Sequence, residues 1–301
     1  MGRPNALKLH MRRKDLSDLF LLAAIWGGSF LFMRMAVGDL GPIVLSALRT
    51  LIAGSLLLPV LVWRKKLPLL FKSWRPIVIV GLLNAVLPFL FLSYATRTLP
   101  SGTMSIINAI TPLWGAAIAW LWLKDRLPPL RIAGLAIGFI GIVVLVWNKL
   151  NFQATESILA VLAGVAGPFF YGIAANFTKK FLTGTEPIVI ATGSLLAGGI
   201  VLLPFAVWAW PTGPVDPRAW AAMLMLAVLC TSVAYILYYR LLINIGPARA
   251  MTVTFLVPVF GVLWGWFWLH EAVTLRIVLG GAIILLGTAL ATGLLKPRVR
   301  R

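Results

Sequence analysis

Apolar stretches long enough to cross a lipid bilayer recur along the whole chain, with short polar breaks between them. A helix needs about 20 predominantly apolar residues to span the hydrocarbon core. The expected spans are residues 17–37, 42–63, 76–95, 101–123, 130–147, 157–177, 187–208, 219–239, 248–269 and 275–295. The pattern predicts an all-α integral membrane protein with ten transmembrane helices.

Composition excludes the soluble classes of protein. Of the 301 residues, 60% are apolar and 12% are charged, which leaves too little polar material for a surface that faces water. A disordered chain is excluded by the same numbers. The single cysteine, Cys230, excludes an intrachain disulfide and a cysteine-based zinc site. No cofactor and no metal ion is expected.

The basic residues predict how the chain sits in the membrane. With a cytoplasmic N-terminus, 21 of the 27 lysines and arginines fall on the cytoplasmic side, five fall on the other side, and Arg49 lies within a span. This asymmetry predicts a multi-pass membrane protein with both termini in the cytoplasm, and the bacterial inner membrane is the expected location. It accounts for the net charge of +19 through contact with anionic lipid, so the lipid bilayer is the expected partner and nucleic acid is not. The first apolar run is expected to be a retained span rather than a signal peptide.

The two halves of the chain share residues in one register. A shift of 146 positions aligns residues 112–141 with residues 258–287, and the aligned identities are Pro112/Pro258, Gly115/Gly261, Trp120/Trp266, Trp122/Trp268, Gly134/Gly280 and Gly141/Gly287. The predicted organisation is a basic N-terminal segment (1–16), a first repeat (17–147), an extracytoplasmic linker (148–156), a second repeat (157–295) and a basic tail (296–301). Because five spans is an odd number, the second repeat must be inverted, as in secondary transporters that bind solute at the midplane.

Several motifs carry a resemblance to a known family. They are W-G-x-S-F (Trp26, Gly27, Ser29, Phe30), an arginine early in span two (Arg49), and two P-x-x-G…W-x-W-L-x-(D/E) blocks ending at Asp125 and Glu271. With these motifs the chain resembles the drug/metabolite transporter superfamily, in particular the EamA-type ten-span permeases. Within that branch it is most similar to YddG-type exporters of aromatic amino acids and methionine. The resemblance implies an exporter of small metabolites. In the first spans of the two halves the offset is 145 positions, which places Pro42 on Pro187, so Ser194 stands where Arg49 would repeat.

Three prolines are expected to interrupt helices beside polar residues. Because proline removes the hydrogen bond to the carbonyl four residues earlier, the helix-break candidates Pro88, Pro112 and Pro258 release the carbonyls of three polar residues. Those residues are Asn84, Asn108 and Thr254. Deep in a span, such groups either bind a ligand in a wet cavity or are satisfied by a neighbouring helix or water.

Aromatic and polar side chains that share helix faces complete the predicted cavity. The substrate-binding candidates are Trp26, Ser29, Met33, Asn84, Tyr94, Asn108, Tyr171, Tyr235, Tyr238 and Thr254. Their rings suit flat or apolar solute side chains, although an aromatic belt at the membrane interface is the alternative. Arg49 is a candidate gate or counter-charge that could attract a carboxylate, extend to the interface or pair with Asp39. Glycines at close spacing are expected to allow close helix contact.

The solute is expected to be small and near neutral. All eight acids lie at span ends or in loops, where they form no membrane-interior cation site, and no nucleotide-binding motif occurs. The sequence therefore predicts facilitated diffusion of small metabolites, most readily amino acids, by alternating access, and a monomer can suffice. Export of drugs or sugars, proton coupling through His270, and a lipid flippase or scaffold remain alternatives. An enzyme is not expected, because the His270-Glu271 pair lacks a second histidine at Thr274.

Overall fold

The computed structural model describes residues 13–147 and 155–294. Nearly all of the predicted N-terminal segment 1–16, most of the linker 148–156 and the whole tail 296–301 lie outside these residues. The α-helices of the described part are α1 Arg13–Trp63, α2 Leu67–Lys72, α3 Trp74–Gly81, α4 Leu87–Ala95, α5 Ser101–Asn108, α6 Thr111–Leu123, α7 Pro129–Val146, α8 Thr155–Phe181, α9 Pro187–Trp208, α10 Pro217–Ala227, α11 Ala234–Ile245, α12 Pro247–Ala250, α13 Val253–Leu269 and α14 Leu275–Ala291.

These helices form ten spans within the described residues. Seven continuous apolar segments are long enough to cross a membrane, and two shorter apolar helices, α13 and α14, have 17 residues each. The longest segment, α1, has 51 residues and contains a non-helical residue at Gly41, so it holds two spans. The predicted class, an all-α membrane protein with ten transmembrane helices, is confirmed.

Two glycine-proline pairs start new spans. Gly41 has φ 70° and ψ 162°, and Gly246 has nearly the same conformation, with φ 80° and ψ 163°. A positive φ strains residues that carry a Cβ, so glycine suits both positions. Pro42 and Pro247 follow directly, and each occupies an early helical position where its missing N–H is not needed.

Two spans contain a π-helical turn that the apolar pattern does not predict. The turns are Leu82–Val86, between α3 and α4, and Val228–Val233, between α10 and α11. Their first residues are 146 positions apart, which is the offset of the predicted repeat. Pro88 comes two residues after the first turn, where it begins α4 rather than ending the span.

The two other proline-containing spans are interrupted at different depths. In span four, α5 ends at Asn108 and α6 begins at Thr111, so the chain breaks beside Pro112 as expected. In span nine, α12 ends at Ala250 and α13 continues through Pro258. The break expected at Pro258 therefore comes earlier, between α12 and α13.

Glycine contacts bring several helices unusually close. A Cβ added to Gly27 of α1 would lie 2.7 Å from the Cβ of Phe260 on α13. A Cβ added to Gly134 of α7 would lie 2.8 Å from the carbonyl oxygen of Gly287 on α14. The expectation that small residues serve close helix contact is confirmed at both interfaces.

Contacts between loops distinguish the two ends of the bundle. At one end, the ammonium of Lys179 on α8 lies 2.9 Å from the carboxylate of Asp125, which follows α6. Lys66 and Glu186 form an ion pair there between the end of α1 and the start of α9. We call this the Lys179 end.

The opposite end joins other loops. Glu271, between α13 and α14, contacts Ser101 at the start of α5. Asp39 accepts a hydrogen bond at 2.9 Å from the backbone N–H of Asp216, just before α10. We call this the Glu271 end.

Candidate functional site

A cavity of about 610 Å³ lies among α1, α4, α5, α8, α9, α11 and α13. Its lining extends to Thr183 and Thr185 in the connection between α8 and α9 and to Pro187 at the start of α9, and Thr183 and Pro187 are exposed. Among the described residues, the loops at the Glu271 end contribute nothing to its lining. The cavity is therefore open at the Lys179 end and closed at the Glu271 end.

Most of the side chains that the sequence nominates line this one cavity. They are Trp26, Ser29, Met33, Arg49, Asn84, Asn108, Tyr171, Tyr235, Tyr238 and Thr254. Tyr94 does not line it, and packs instead against the main hydrophobic cluster of the bundle. The cavity joins residues from both halves of the chain.

Aromatic rings form one wall. The rings of Trp26 on α1 and Tyr238 on α11 have centroids 5.3 Å apart and are tilted by 50°. Tyr171 on α8 is half-buried and lines the same space. Such rings offer flat apolar faces together with polar groups at their edges.

The amide side chains of the lining have different partners. The amide nitrogen of Asn84 donates to the hydroxyl of Tyr235 at 3.3 Å. The backbone carbonyl of Asn108 accepts from the hydroxyl of Thr111 at 2.8 Å, so the group released by Pro112 is satisfied locally. The side-chain Oδ1 of Asn108 is buried and has no hydrogen-bond partner among the described residues. It is an acceptor without a partner on a residue of the cavity wall.

The hydroxyls of the lining are satisfied within their own helices. The Ser29 hydroxyl donates to the carbonyl of Trp26 at 2.6 Å, and that of Thr254 donates to the carbonyl of Met251 at 2.8 Å. Their oxygens keep a lone pair that can accept a further hydrogen bond.

Arg49 lies within the cavity wall and does not pair with Asp39. Its Nε donates to the hydroxyl oxygen of Thr231 at 3.0 Å, and its guanidinium carbon lies 3.7 Å from the ring centroid of Phe89. Asp39 bonds to the backbone of Asp216 at the Glu271 end instead. The expected alternative of an Arg49–Asp39 pair is therefore corrected.

Several lining residues are missing from the sequence prediction. Phe89, Ser105, Lys179, Ser194 and Cys230 all line the cavity. For Ser194 the sequence holds a signal, because it takes the position of Arg49 in the predicted repeat. The others follow from tertiary packing that the helical pattern does not encode.

The acids of the chain lie away from this space. None of the described lining residues is an aspartate or a glutamate. At the start of α1, the Asp15 carboxylate accepts from the side-chain amide of Asn244 at 3.0 Å. Asp18 lies 2.9 Å from the guanidinium of Arg240 on α11. The lining of the cavity is thus mostly apolar, its charged side chains are basic, and no carboxylate is among its described residues.

Comparison with known proteins shows the family to which the chain belongs. Residues 18–147 and residues 158–293 both match the sequence model of the EamA-like transporter family. The chain belongs to this family. Its members are transporters, so the protein is a membrane permease and not an enzyme.

Relatives of this EamA-family transporter match it along most of its length. An "Uncharacterized transporter" of Archaeoglobus fulgidus is 28% identical and covers 94% of this chain and 98% of its own. The "Uncharacterized inner membrane transporter YedA" of Escherichia coli strain K12 is 29% identical, over 82% of this chain and 80% of its own. A "Probable amino-acid metabolite efflux pump" of the same strain is 25% identical, over 92% of this chain and 94% of its own.

A solved crystal structure resembles the fold of the transporter. It has a TM-score of 0.67 and 21% sequence identity, and the match covers 94% of this chain and 99% of that chain. At this identity the likeness concerns the fold alone.

The closed end of the transporter is held by contacts between distant segments. Besides the contacts of Glu271 and Asp39, the guanidinium of Arg34 on α1 donates to the carbonyl of Thr96 at 2.7 Å. These bonds tie α1, α5 and the neighbouring loops together at the Glu271 end. A solute in the cavity could leave only through the Lys179 end without a change of conformation.

Proposed function

We propose that this transporter exports small near-neutral or zwitterionic metabolites, most readily amino acids with aromatic or methionine side chains, across the bacterial inner membrane. The observation that carries the proposal is the cavity. Its volume of about 610 Å³ falls within the range of small-molecule sites, and rings, amides and hydroxyls line it. A cation-binding carboxylate is absent from its described lining, which disfavours cationic drugs.

Relatives support both the solute class and the membrane. One Escherichia coli relative carries the name of a probable amino-acid metabolite efflux pump. Another is named as an inner membrane transporter. We extend both properties to this chain as part of the proposal.

The proposed mechanism is alternating access between two inverted halves, residues 17–147 and 157–295. From the asymmetry of basic residues we infer that the Lys179 end faces the cytoplasm, so the open cavity would receive solute from the cytoplasm. Rocking of one half against the other would then close the Lys179 end and open the Glu271 end. Because no acid is found in the described lining to relay protons, the solute gradient itself would drive the flux.

Counterflow in liposomes that contain only this protein tests the proposal. Labelled phenylalanine and methionine should exchange against unlabelled internal amino acid without ATP or a proton gradient, whereas labelled sugars and cationic drugs should not. Counterflow of drugs or sugars in place of amino acids would overturn the solute class. A flippase or scaffold would give no solute-dependent flux at all.

Two variants test the cavity with a matched control. Trp26→Ala removes a ring of the wall and Asn108→Ala removes its free acceptor, so both should lower amino-acid flux without loss of membrane insertion. Trp208→Ala removes a ring of the same kind that is 84% exposed and outside the cavity, and it should keep normal flux. Wild-type flux from both cavity variants would contradict this site.

A further inference from the structure

The charged residues of the cavity are all basic. Among its described lining residues, Arg49 and Lys179 carry a formal charge, and neither Asp nor Glu is present. Lys179 is already paired with Asp125 at 2.9 Å, and both side chains are largely exposed. Arg49 is therefore the cavity charge that no carboxylate of the described residues neutralises.

The surroundings of Arg49 are neutral. Its side chain is buried, with 7% of the residue exposed. Its contacts are the hydroxyl of Thr231, the thioether of Met33 at 3.8 Å from Nη1, and the ring of Phe89. A hydroxyl, a thioether and a phenyl ring supply dipoles and a quadrupole but no opposite charge. An uncompensated cation in a membrane interior is costly, and such residues usually serve a transported or bound group.

The guanidinium is held in one orientation by these contacts. Thr231, in the second π-helical turn, donates its hydroxyl hydrogen to the carbonyl of Leu226 on α10 at 2.8 Å, so its oxygen faces Arg49 as an acceptor. Phe89 lies against the guanidinium carbon at 3.7 Å. A guanidinium has five donors in a planar fork, and most of them find no oxygen acceptor among the described residues. The group is arranged in advance for an incoming oxyanion.

We propose that Arg49 binds the carboxylate of the transported solute, so that a carboxylate is required for transport. This inference rests on the proposed export function and specifies which solutes it accepts. The buried Oδ1 of Asn108, which has no partner among the described residues, is an acceptor in the same cavity for the ammonium of the solute. Trp26 and Tyr238 provide rings for its side chain. The preferred class is then the α-amino acids, and amines without a carboxylate are excluded.

Matched solutes test the requirement for a carboxylate. Counterflow of labelled phenylalanine into liposomes with the wild-type protein is measured against unlabelled phenylalanine, phenylalanine amide and phenethylamine as competitors. These compounds share the ring and the amine and differ at the carboxylate. Unlabelled phenylalanine should halve the counterflow at a concentration at least tenfold lower than either of the other two compounds requires. Equal competition by all three would overturn the inference while leaving amino-acid transport intact.

Substitutions assign the requirement to Arg49. Arg49→Gln should raise the KM for phenylalanine at least tenfold and remove the preference for phenylalanine over its amide. Arg49→Lys keeps the charge without the planar fork. It should therefore retain the preference for phenylalanine over its amide, with a KM between those of the wild type and Arg49→Gln. An Arg49→Gln protein with wild-type KM and wild-type preference would overturn the inference.

A second variant covers the case in which Arg49→Gln does not assemble. Thr231→Val leaves the Arg49 charge in place and keeps the shape of the residue at position 231, but it removes the hydrogen bond that orients the guanidinium. It should raise the KM for phenylalanine several-fold. An unchanged KM would count against the inference. A wild-type protein that moves no amino acid would instead overturn the proposed function, so the two failures are distinguishable.

Discussion

The carboxylate of Glu271 accepts hydrogen bonds from the backbone N–H of Ser101 at 2.7 Å and from its hydroxyl at 2.9 Å. A third bond comes from the N–H of Gly102 at 3.0 Å. These N–H groups belong to the first turn of α5, where the helix dipole favours a negative charge. Glu271 belongs to the loop between α13 and α14, in the other predicted half. The contact therefore closes the Glu271 end across the two halves.

Neutralising this carboxylate should weaken the closure. Glu271→Gln keeps one oxygen acceptor but loses the charge, and hydrogen bonds to charged groups contribute about 1.5–3 kcal/mol each. A loss of about 1.4 kcal/mol raises the population open at the Glu271 end about tenfold. The measurement is the rate at which a membrane-impermeant maleimide, applied from that side, labels Ser105→Cys in a Cys230→Ser background. Ser105 lines the cavity and is fully buried in this conformation.

The same chemical change elsewhere provides the control. Glu156→Gln alters an exposed glutamate at the start of α8 and should leave the labelling rate unchanged. A Glu271→Gln protein that labels no faster than the parent would show that the contact does not hold this end closed.

Asp125 is the counterpart of Glu271 in the predicted repeat, yet its environment predicts that its substitution has a much smaller effect on stability. It pairs with Lys179 at 2.9 Å, and the two side chains are 49% and 61% exposed. Exposed ion pairs contribute about 0–1 kcal/mol. Asp125→Asn should therefore change the thermal unfolding midpoint in detergent far less than Glu271→Gln does in the same assay. Equal destabilisation by the two variants would contradict this contrast.

The spans and most of the cavity could be predicted from the sequence for a physical reason. A bilayer requires long apolar helices, and polar or aromatic groups inside them must face a cavity or a partner. Trp26, Asn84, Asn108 and Tyr235 stand out by this criterion, and all four line the cavity. Tyr94 does not, because it packs against the main hydrophobic cluster of the bundle, a tertiary contact that the pattern along one helix does not encode.

Other features depend on contacts that a single helix does not reveal. The interruption of span nine comes before Thr254, where the hydroxyls of Thr252 and Thr254 bond to the carbonyls of Arg249 and Met251. Such side chains compete with the helical hydrogen bonds, which moves the break away from the proline. The partner of Asp39 is a backbone N–H 177 positions along the chain. Pairing at that separation follows only from the assembled bundle.

Close packing between α7 and α14 predicts that a larger side chain there is not tolerated. Gly134→Ala would place a Cβ in the space now occupied by the backbone of Gly287 and the Cβ of Leu290. Overpacking of this kind costs about 1–3 kcal/mol or more. The folded yield in detergent and the unfolding midpoint should both fall. Gly115→Ala is the matched control, because a Cβ there meets nothing within 4 Å and alanine favours the helix. Equal tolerance of both changes would contradict the close contact.

The hydrogen bond between Asn84 and Tyr235 joins the first π-helical turn to α11, and thus the two predicted halves, inside the cavity. Tyr235→Phe removes the hydroxyl and leaves the amide of Asn84 without this partner, a loss of about 0.5–1.5 kcal/mol. Because the ring remains, the KM of phenylalanine counterflow should rise by less than about tenfold. The preference for phenylalanine over its amide should be unchanged, because it depends on Arg49. Measuring both quantities separates the two roles, and a lost preference in Tyr235→Phe would show that the hydroxyl also contacts the carboxylate.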